Sequence, residues 1–325
     1  MNLPSPSVAS PAKRLVVIGT GGTIAGTAGQ ATDAVGYRAA QRGIAELIAG
    51  VPALAAWPIE SEQAAQVDSK DMGIEAWQAI AARIAHHLER GEVQGIVVTH
   101  GTDTLEETAW LVARVLAPAG KPVVFTAAMR PATSIQADGP QNLLDAVTVA
   151  SQPGAHGVLA VVAGRVWPVA GLRKTHTYAL DAFDAGDAGP LASVAAGRVI
   201  WHAACPPAGE PLGLARIGRE ASRWPRVEIV ASHAGADGAI VDALLAQHSR
   251  PLRGLVVAGT GNASLHGGLE TALARAQSRG VVVLVCSRVA RGPAIAAGEG
   301  GFKTVSMTPW QARVELLLRL LGEPG

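Results

Sequence analysis

Val98-Thr99-His100-Gly101-Thr102-Asp103-Thr104 runs from an apolar, β-branched segment into a polar turn, and the residues beyond it carry a helical period. A strand that empties into a turn and then a helix is one half of a βαβ unit, so this stretch points to an α/β fold. Turns at the carboxyl ends of parallel strands collect ligands, because helix N-termini and free backbone N–H groups converge there. A second stretch of the same design, Val16-Val17-Ile18-Gly19-Thr20-Gly21-Gly22-Thr23-Ile24-Ala25-Gly26, also delivers a threonine into a glycine-rich turn. Two such turns predict one shared site.

Working outward, short apolar runs recur at 15–18, 96–99, 123–126, 158–162, 227–230, 255–258 and 281–286. Helical patterns fill 73–90, 104–117, 140–151, 237–247, 266–279 and 308–321. The last begins with Thr308 as N-cap and Pro309 at the first helical position. From about 198 to 225 the periodicity fails, and Cys205-Pro206-Pro207-Ala208-Gly209-Glu210-Pro211 neither continues a strand nor nucleates a helix. The expected organisation is a larger domain over 1–200, a linker over 201–225 and a smaller α/β domain over 226–325.

Of the 325 residues 49% are hydrophobic and only 16% charged, against about 25% charged in an average soluble chain. Surface buried between subunits accounts for such a deficit and predicts an oligomer. A net charge of +1 without a basic stripe argues against nucleic acid. Residues 1–14 are polar and rich in Pro and Ser, unlike a secretory signal, and no apolar run approaches a membrane helix. A cytoplasmic protein without membrane contact is expected. Cys205 and Cys286 are expected to be plain thiols, since two cysteines make no disulfide framework.

The turn Gly19-Thr20-Gly21-Gly22-Thr23 lacks the spacing of a dinucleotide fingerprint and the Lys-Ser or Lys-Thr pair of a P-loop. Its threonine has two readings: a helix cap, or a hydroxyl nucleophile activated by a phenol such as Tyr37. Asp103 reads as the cap of the helix starting at Thr104, with Glu106 and Glu107 favouring its dipole, and equally as a carboxylate for a substrate ammonium. Thr102 is placed to position a water. Arg173-Lys174-Thr175 sets a lysine beside another cation, one way of preparing a base. His86 and His87 face different sides of a helix, and no metal motif occurs, so neither metal nor cofactor is expected. The nucleophile elbow of serine hydrolases is missing, and His100 reads as a structural neighbour of the site rather than a base.

Gly21-Gly22-Thr23-Ile24-Ala25-Gly26 and His100-Gly101-Thr102-Asp103-Thr104-Leu105-Glu106-Glu107-Thr108 together resemble the two signatures of the bacterial-type L-asparaginase family. The similarity continues through Ala127-Ala128-Met129-Arg130-Pro131, Ala137-Asp138-Gly139-Pro140-Gln141-Asn142-Leu143, Lys174-Thr175 and Ser287-Arg288-Val289. It implies a large N-terminal parallel-sheet domain with helices on both faces and a smaller, flavodoxin-like C-terminal domain. It implies hydrolysis of asparagine, with glutamine as a side substrate. Thr23 then resembles the nucleophile and Tyr37 its activator; Thr102, Asp103 and Lys174 resemble the second triad. Ser69 resembles the ligand of the substrate α-carboxylate and Asp103 that of the α-ammonium, with backbone of Gly101 and Ala128 lining the amide end. In the family a neighbouring subunit closes the site, which makes Glu299 and Ser264 candidates for contributions across the interface and implies a tetramer of intimate dimers.

Two positions depart from the commoner pattern. Lys70 follows Ser69 where glutamine is frequent, and a lysine there suits a charge pair with the substrate carboxylate. Ser264 stands where asparagine is frequent. Two other readings compete: the related amidotransferase subunit, disfavoured because the first signature begins by residue 19, and an amino-acid sensor, which needs no set of Thr23, Tyr37, Thr102 and Lys174.

Overall fold

The fold was taken from a computed structural model that describes residues 13–33, 35–295 and 301–323. In chain order its strands are β1 (Arg14–Gly21), β2 (Thr27–Ala28), β3 (Tyr37–Arg38), β4 (Ile59–Val67), β5 (Val93–Thr99), β6 (Val123–Thr126), β7 (Val158–Val162) and β8 (Arg165–Pro168). They continue with β9 (Arg173–Lys174), β10 (Phe183–Asp184), β11 (Ala192–Ala195), β12 (Arg198–Trp201), β13 (Arg226–Ala231), β14 (Leu252–Gly259), β15 (Val282–Ser287) and β16 (Lys303–Thr304). The helices are α1 (Ile44–Ala49), α2 (Ile74–Glu89), α3 (Leu105–Leu116), α4 (Gly139–Ala150), α5 (Ala239–Leu245), α6 (Gly267–Ser278) and α7 (Pro309–Leu321). None is long and apolar enough to cross a membrane.

The large sheet has the order β4-β1-β5-β6-β7-β8-β11-β12. Its first five strands are parallel, and the last three turn back antiparallel. Alternation along the strands divides the core between the two faces: Val16, Ile18, Ile96 and Val98 pack with α2 and α3, while Leu15, Val17 and Val97 pack with α1 and α4. This is the α/β architecture with helices on both faces that the strand and helix spacing predicts. A smaller parallel sheet, β13-β14-β15-β16, follows. It carries α5 and α6 on one face and α7 on the other.

The apolar runs mark β1, β5, β6, β7, β13, β14 and β15, but β4 and the antiparallel strands escape that reading. β4 has the sequence Ile-Glu-Ser-Glu-Gln-Ala-Ala-Gln-Val and lies at the sheet edge, so few of its side chains must be apolar. The α5 pattern shrinks to seven residues.

One feature of the topology bears on the site. α3 and α4 each advance the chain by one strand in the same direction, yet they cover opposite faces, so their crossovers have opposite hands. Crossovers of this kind are right-handed in about 98% of cases. The exception brings the segment between β6 and α4 over the N-terminal loop, where the Ala132 N–H donates to Gly26 O at 2.9 Å and the Ala28 N–H to Thr133 Oγ1 at 2.8 Å.

Candidate active site

β1 and β5 are parallel neighbours paired Gly19↔Thr99, which sets the two threonine turns side by side. The buried Thr20 hydroxyl donates to Thr99 O at 2.8 Å and ties them. Close approach depends on glycine. Gly22 has φ 79°, and a Cβ there would overlap the Gly101 backbone; a Cβ on Gly101 would overlap the Ser69 hydroxyl. The turns after β1, β4 and β5 thus meet at Gly22, Ser69 and Gly101.

Thr23 opens a 3-10 turn whose N-cap is Gly22, with no side-chain cap. Its hydroxyl therefore does not serve as a helix cap. Instead Oγ1 lies 2.7 Å from Tyr37 Oη, held there by the β2–β3 pairing of Ala28 with Tyr37. The Gly22 N–H is engaged by Val67 O at 2.9 Å. Ala128, fully buried, packs against Ile24 and Ala25 and so supports this turn from behind.

Across the Gly22–Gly101 contact, Lys174 Nζ donates to Thr102 Oγ1 at 2.8 Å and to Asp103 Oδ1 at 2.6 Å. The expected cap on α3 is corrected here. The N-cap is Thr104, no side chain caps the helix, and the Asp103 carboxylate turns to Lys174 because that charged pair is stronger than a neutral N–H contact. The Thr104 hydroxyl donates to Ser69 O at 2.8 Å, and the Asp103 N–H to Ser69 Oγ at 3.2 Å. Ser69 is 2% exposed and welds the β4 turn to the β5 turn.

His100 donates from Nδ1 to Gly101 O at 2.8 Å, and its Nε2 is buried without a partner among the described residues. Burial pushes the imidazole down to about 4, against that hydrogen bond. It is a neutral wall of the site, sealed from any substrate. Lys70 Nζ is held by Asp68 Oδ2 at 2.9 Å and Asp71 Oδ2 at 2.8 Å, so a carboxylate ligand would compete with two side chains already in place. Those partners, Asp68 first, hold its ammonium above the usual lysine range. Ser264 stands apart from the cluster, on the loop after β14, in reciprocal backbone bonds with Thr260. Glu299 lies outside the described residues.

Two residues at the site were not singled out by sequence. Glu106, which as a first-turn acid is expected at the surface, is 5% exposed and accepts the Lys174 N–H at 2.8 Å. Gln311 of α7, 1% exposed, donates to Val169 O at 2.6 Å and accepts from the Gly171 N–H at 3.0 Å, bracing the segment that leads into β9. A glutamate pair opening an otherwise apolar helix face was the one available signal for the first.

Residues 14–206 match the family model "Asparaginase, N-terminal", and residues 226–323 match "Glutaminase/Asparaginase C-terminal domain". The chain belongs to the asparaginase family. It is 32% identical to L-asparaginase 2 of Bacillus subtilis (strain 168), over 94% of this chain and 81% of that protein. It is 33% identical to a glutaminase-asparaginase of Pseudomonas fluorescens biotype A, over 86% of this chain and 76% of the relative. The crystal structure of a probable cytoplasmic L-asparaginase from Campylobacter jejuni superposes with a TM-score of 0.88 at 34% identity, covering 96% of each chain.

Proposed function

We propose that this asparaginase-family chain hydrolyses L-asparagine to L-aspartate and ammonia, with L-glutamine as a side substrate, in the cytoplasm and as a homotetramer of intimate dimers. The observation that carries the reading is the convergence of two hydroxyl centres, Thr23 on Tyr37 and Thr102 on Lys174, across one glycine contact. A binding protein has no need of either pair.

Thr23 Oγ1 attacks the side-chain amide carbon, and its proton passes to Tyr37 and on to the leaving amine. The C–N bond breaks, ammonia departs, and a threonyl ester remains. Water oriented by Thr102 then adds to that ester, the bond between the acyl carbon and Thr23 Oγ1 breaks, a proton from the water returns to Thr23 Oγ1 by way of the Thr102–Lys174 pair, and aspartate is released. Oxyanion stabilisation falls to the amide of Thr23 at the start of the 3-10 turn, since the Gly22 N–H is already engaged. Ser69 and Asp103 hold the α-carboxylate and α-ammonium, with Ser264 and Glu299 supplied by a neighbouring protomer. The two-domain division at 201–225 belongs to the same reading, because it leaves the smaller domain to complete another subunit's site.

Ammonia release from L-asparagine and from L-glutamine, measured on the wild type and Thr23→Ala, tests this. A folded Thr23→Ala protein is expected to lose nearly all turnover; wild-type turnover in that variant rules out Thr23 as nucleophile.

A further inference from the structure

Lys174 reaches Thr102 and Asp103 from a two-residue strand, β9, that joins neither large sheet; its pairing is with β10. So small an element does not by itself hold an ammonium to within hydrogen-bond distance of two partners. The backbone of β9 is held by a side chain. The Glu106 carboxyl, on the first turn of the helix that the Thr102–Asp103 turn leads into, accepts the Lys174 N–H at 2.8 Å. Both halves of the triad therefore hang on the start of one helix.

Resting on the proposed reaction, we infer that Glu106 is the positioning residue of Lys174, setting the depth of its ammonium against Thr102 through the backbone hydrogen bond. Glu106 touches no reacting atom. Its surroundings make the role sensitive to pH. Burial pushes the carboxyl up to about 8, the Lys174 N–H opposes this, and Glu107 adds to the rise. From β9 it feels Arg173, whose Nε is buried without a partner among the described residues, and Lys174. Beyond these, Arg313 of α7 faces Glu107 at 3.9 Å, Cys286 of β15 lies in the field of Arg173, and His100 is neutral. At neutral pH Glu106 is mostly protonated; above about 8 it becomes a second carboxylate beside Lys174 and Arg173.

Glu106→Gln keeps an acceptor oxygen for the Lys174 N–H and removes the ionisation, whereas Glu106→Ala removes both. Glu106→Ala is expected to lower kcat by about 10²-fold with KM nearly unchanged, the scale of a misplaced catalytic group, and Glu106→Gln to restore most of it near pH 7. The chain has five lysines, Lys13, Lys70, Lys121, Lys174 and Lys303, so selective ¹⁵N-lysine labelling resolves the Lys174 amide, assigned by its loss in Lys174→Arg. That amide signal is expected to shift with a midpoint near pH 8 in the wild type and to stay flat in Glu106→Gln. A flat wild-type signal from pH 6 to 9.5 overturns the proposal, as does Glu106→Ala with wild-type kcat, or a loss that Gln does not restore. Should Glu106→Ala fail to fold, the Gln variant and the wild-type titration still decide. A wild type that titrates as expected but releases no ammonia from asparagine defeats the proposed substrate and leaves the Glu106–Lys174 link standing.

Discussion

At the scale of single residues, the site is decided by what each hydroxyl touches. Thr20, Thr23, Thr102 and Thr104 all stand in polar turns, and local sequence treats them alike. In the fold Thr20 bonds a neighbouring strand and Thr104 bonds Ser69, while Thr23 meets a phenol and Thr102 an ammonium. Only the last two have a partner that can exchange a proton. Tyr37→Phe removes the 2.7 Å contact and keeps the ring, so kcat is expected to fall by about 10²–10⁴-fold, the range of general acid–base catalysis. Its melting temperature should match the wild type, because Tyr37 is only half-buried in a short hairpin. A Phe variant with full turnover would remove Tyr37 from the mechanism. Asp103 shows the limit of local reasoning from the other side: its sequence position suits a helix cap, and in the fold its carboxylate pairs with Lys174 instead.

At the scale of elements, helices and buried strands were legible where burial forces a pattern. β1, β5 and β14 are covered on both faces and read as continuous apolar runs. The α7 start was legible too, since Thr308 accepts the Gln311 N–H and Pro309 sits in the first turn. β4 was not legible, because an edge strand with no fully buried residue has no need of a consistent pattern. The hand of the α4 crossover was beyond any local signal. Gln311 illustrates how an element places a distant one. Its side chain is buried and satisfies backbone groups of the segment entering β9, so Gln311→Leu should leave the Gly171 N–H unpaired, at about 1–3 kcal/mol, while Val169 O keeps the Leu172 N–H. Urea unfolding should show that loss, together with a lower kcat as Lys174 shifts; an unchanged midpoint would mean water replaces the amide.

At the scale of the molecule, α7 packs on the small sheet and against α3, and one continuous apolar cluster joins them. Arg114 of α3 and Glu315 of α7 add an ion pair at 2.8 Å, and Arg291 reaches Asp184 beside the β9–β10 hairpin at 2.8 Å. The smaller domain thereby supports Lys174 from within the same chain, whatever it contributes to a neighbour. Ser264, on the far loop of β14, takes no part in that support. If neighbours complete the site, ammonia release per protomer should fall on dilution as the assembly separates, in step with the mass measured by light scattering. Full activity in a 33.1 kDa species would contradict it.

By itself the sequence determined the α/β class, the two threonine turns and the family, because strand burial and glycine-rich turns leave marks within a few residues of each other. Tertiary structure alone decided the rest. Whether Thr23 caps a helix or meets Tyr37, and whether Asp103 caps α3 or holds Lys174 across 71 residues of chain, depends on which segments a parallel sheet and one unusual crossover bring together. The burial of Glu106 has the same origin: a carboxylate that is solvated on an isolated helix loses its water only when β9 closes over it.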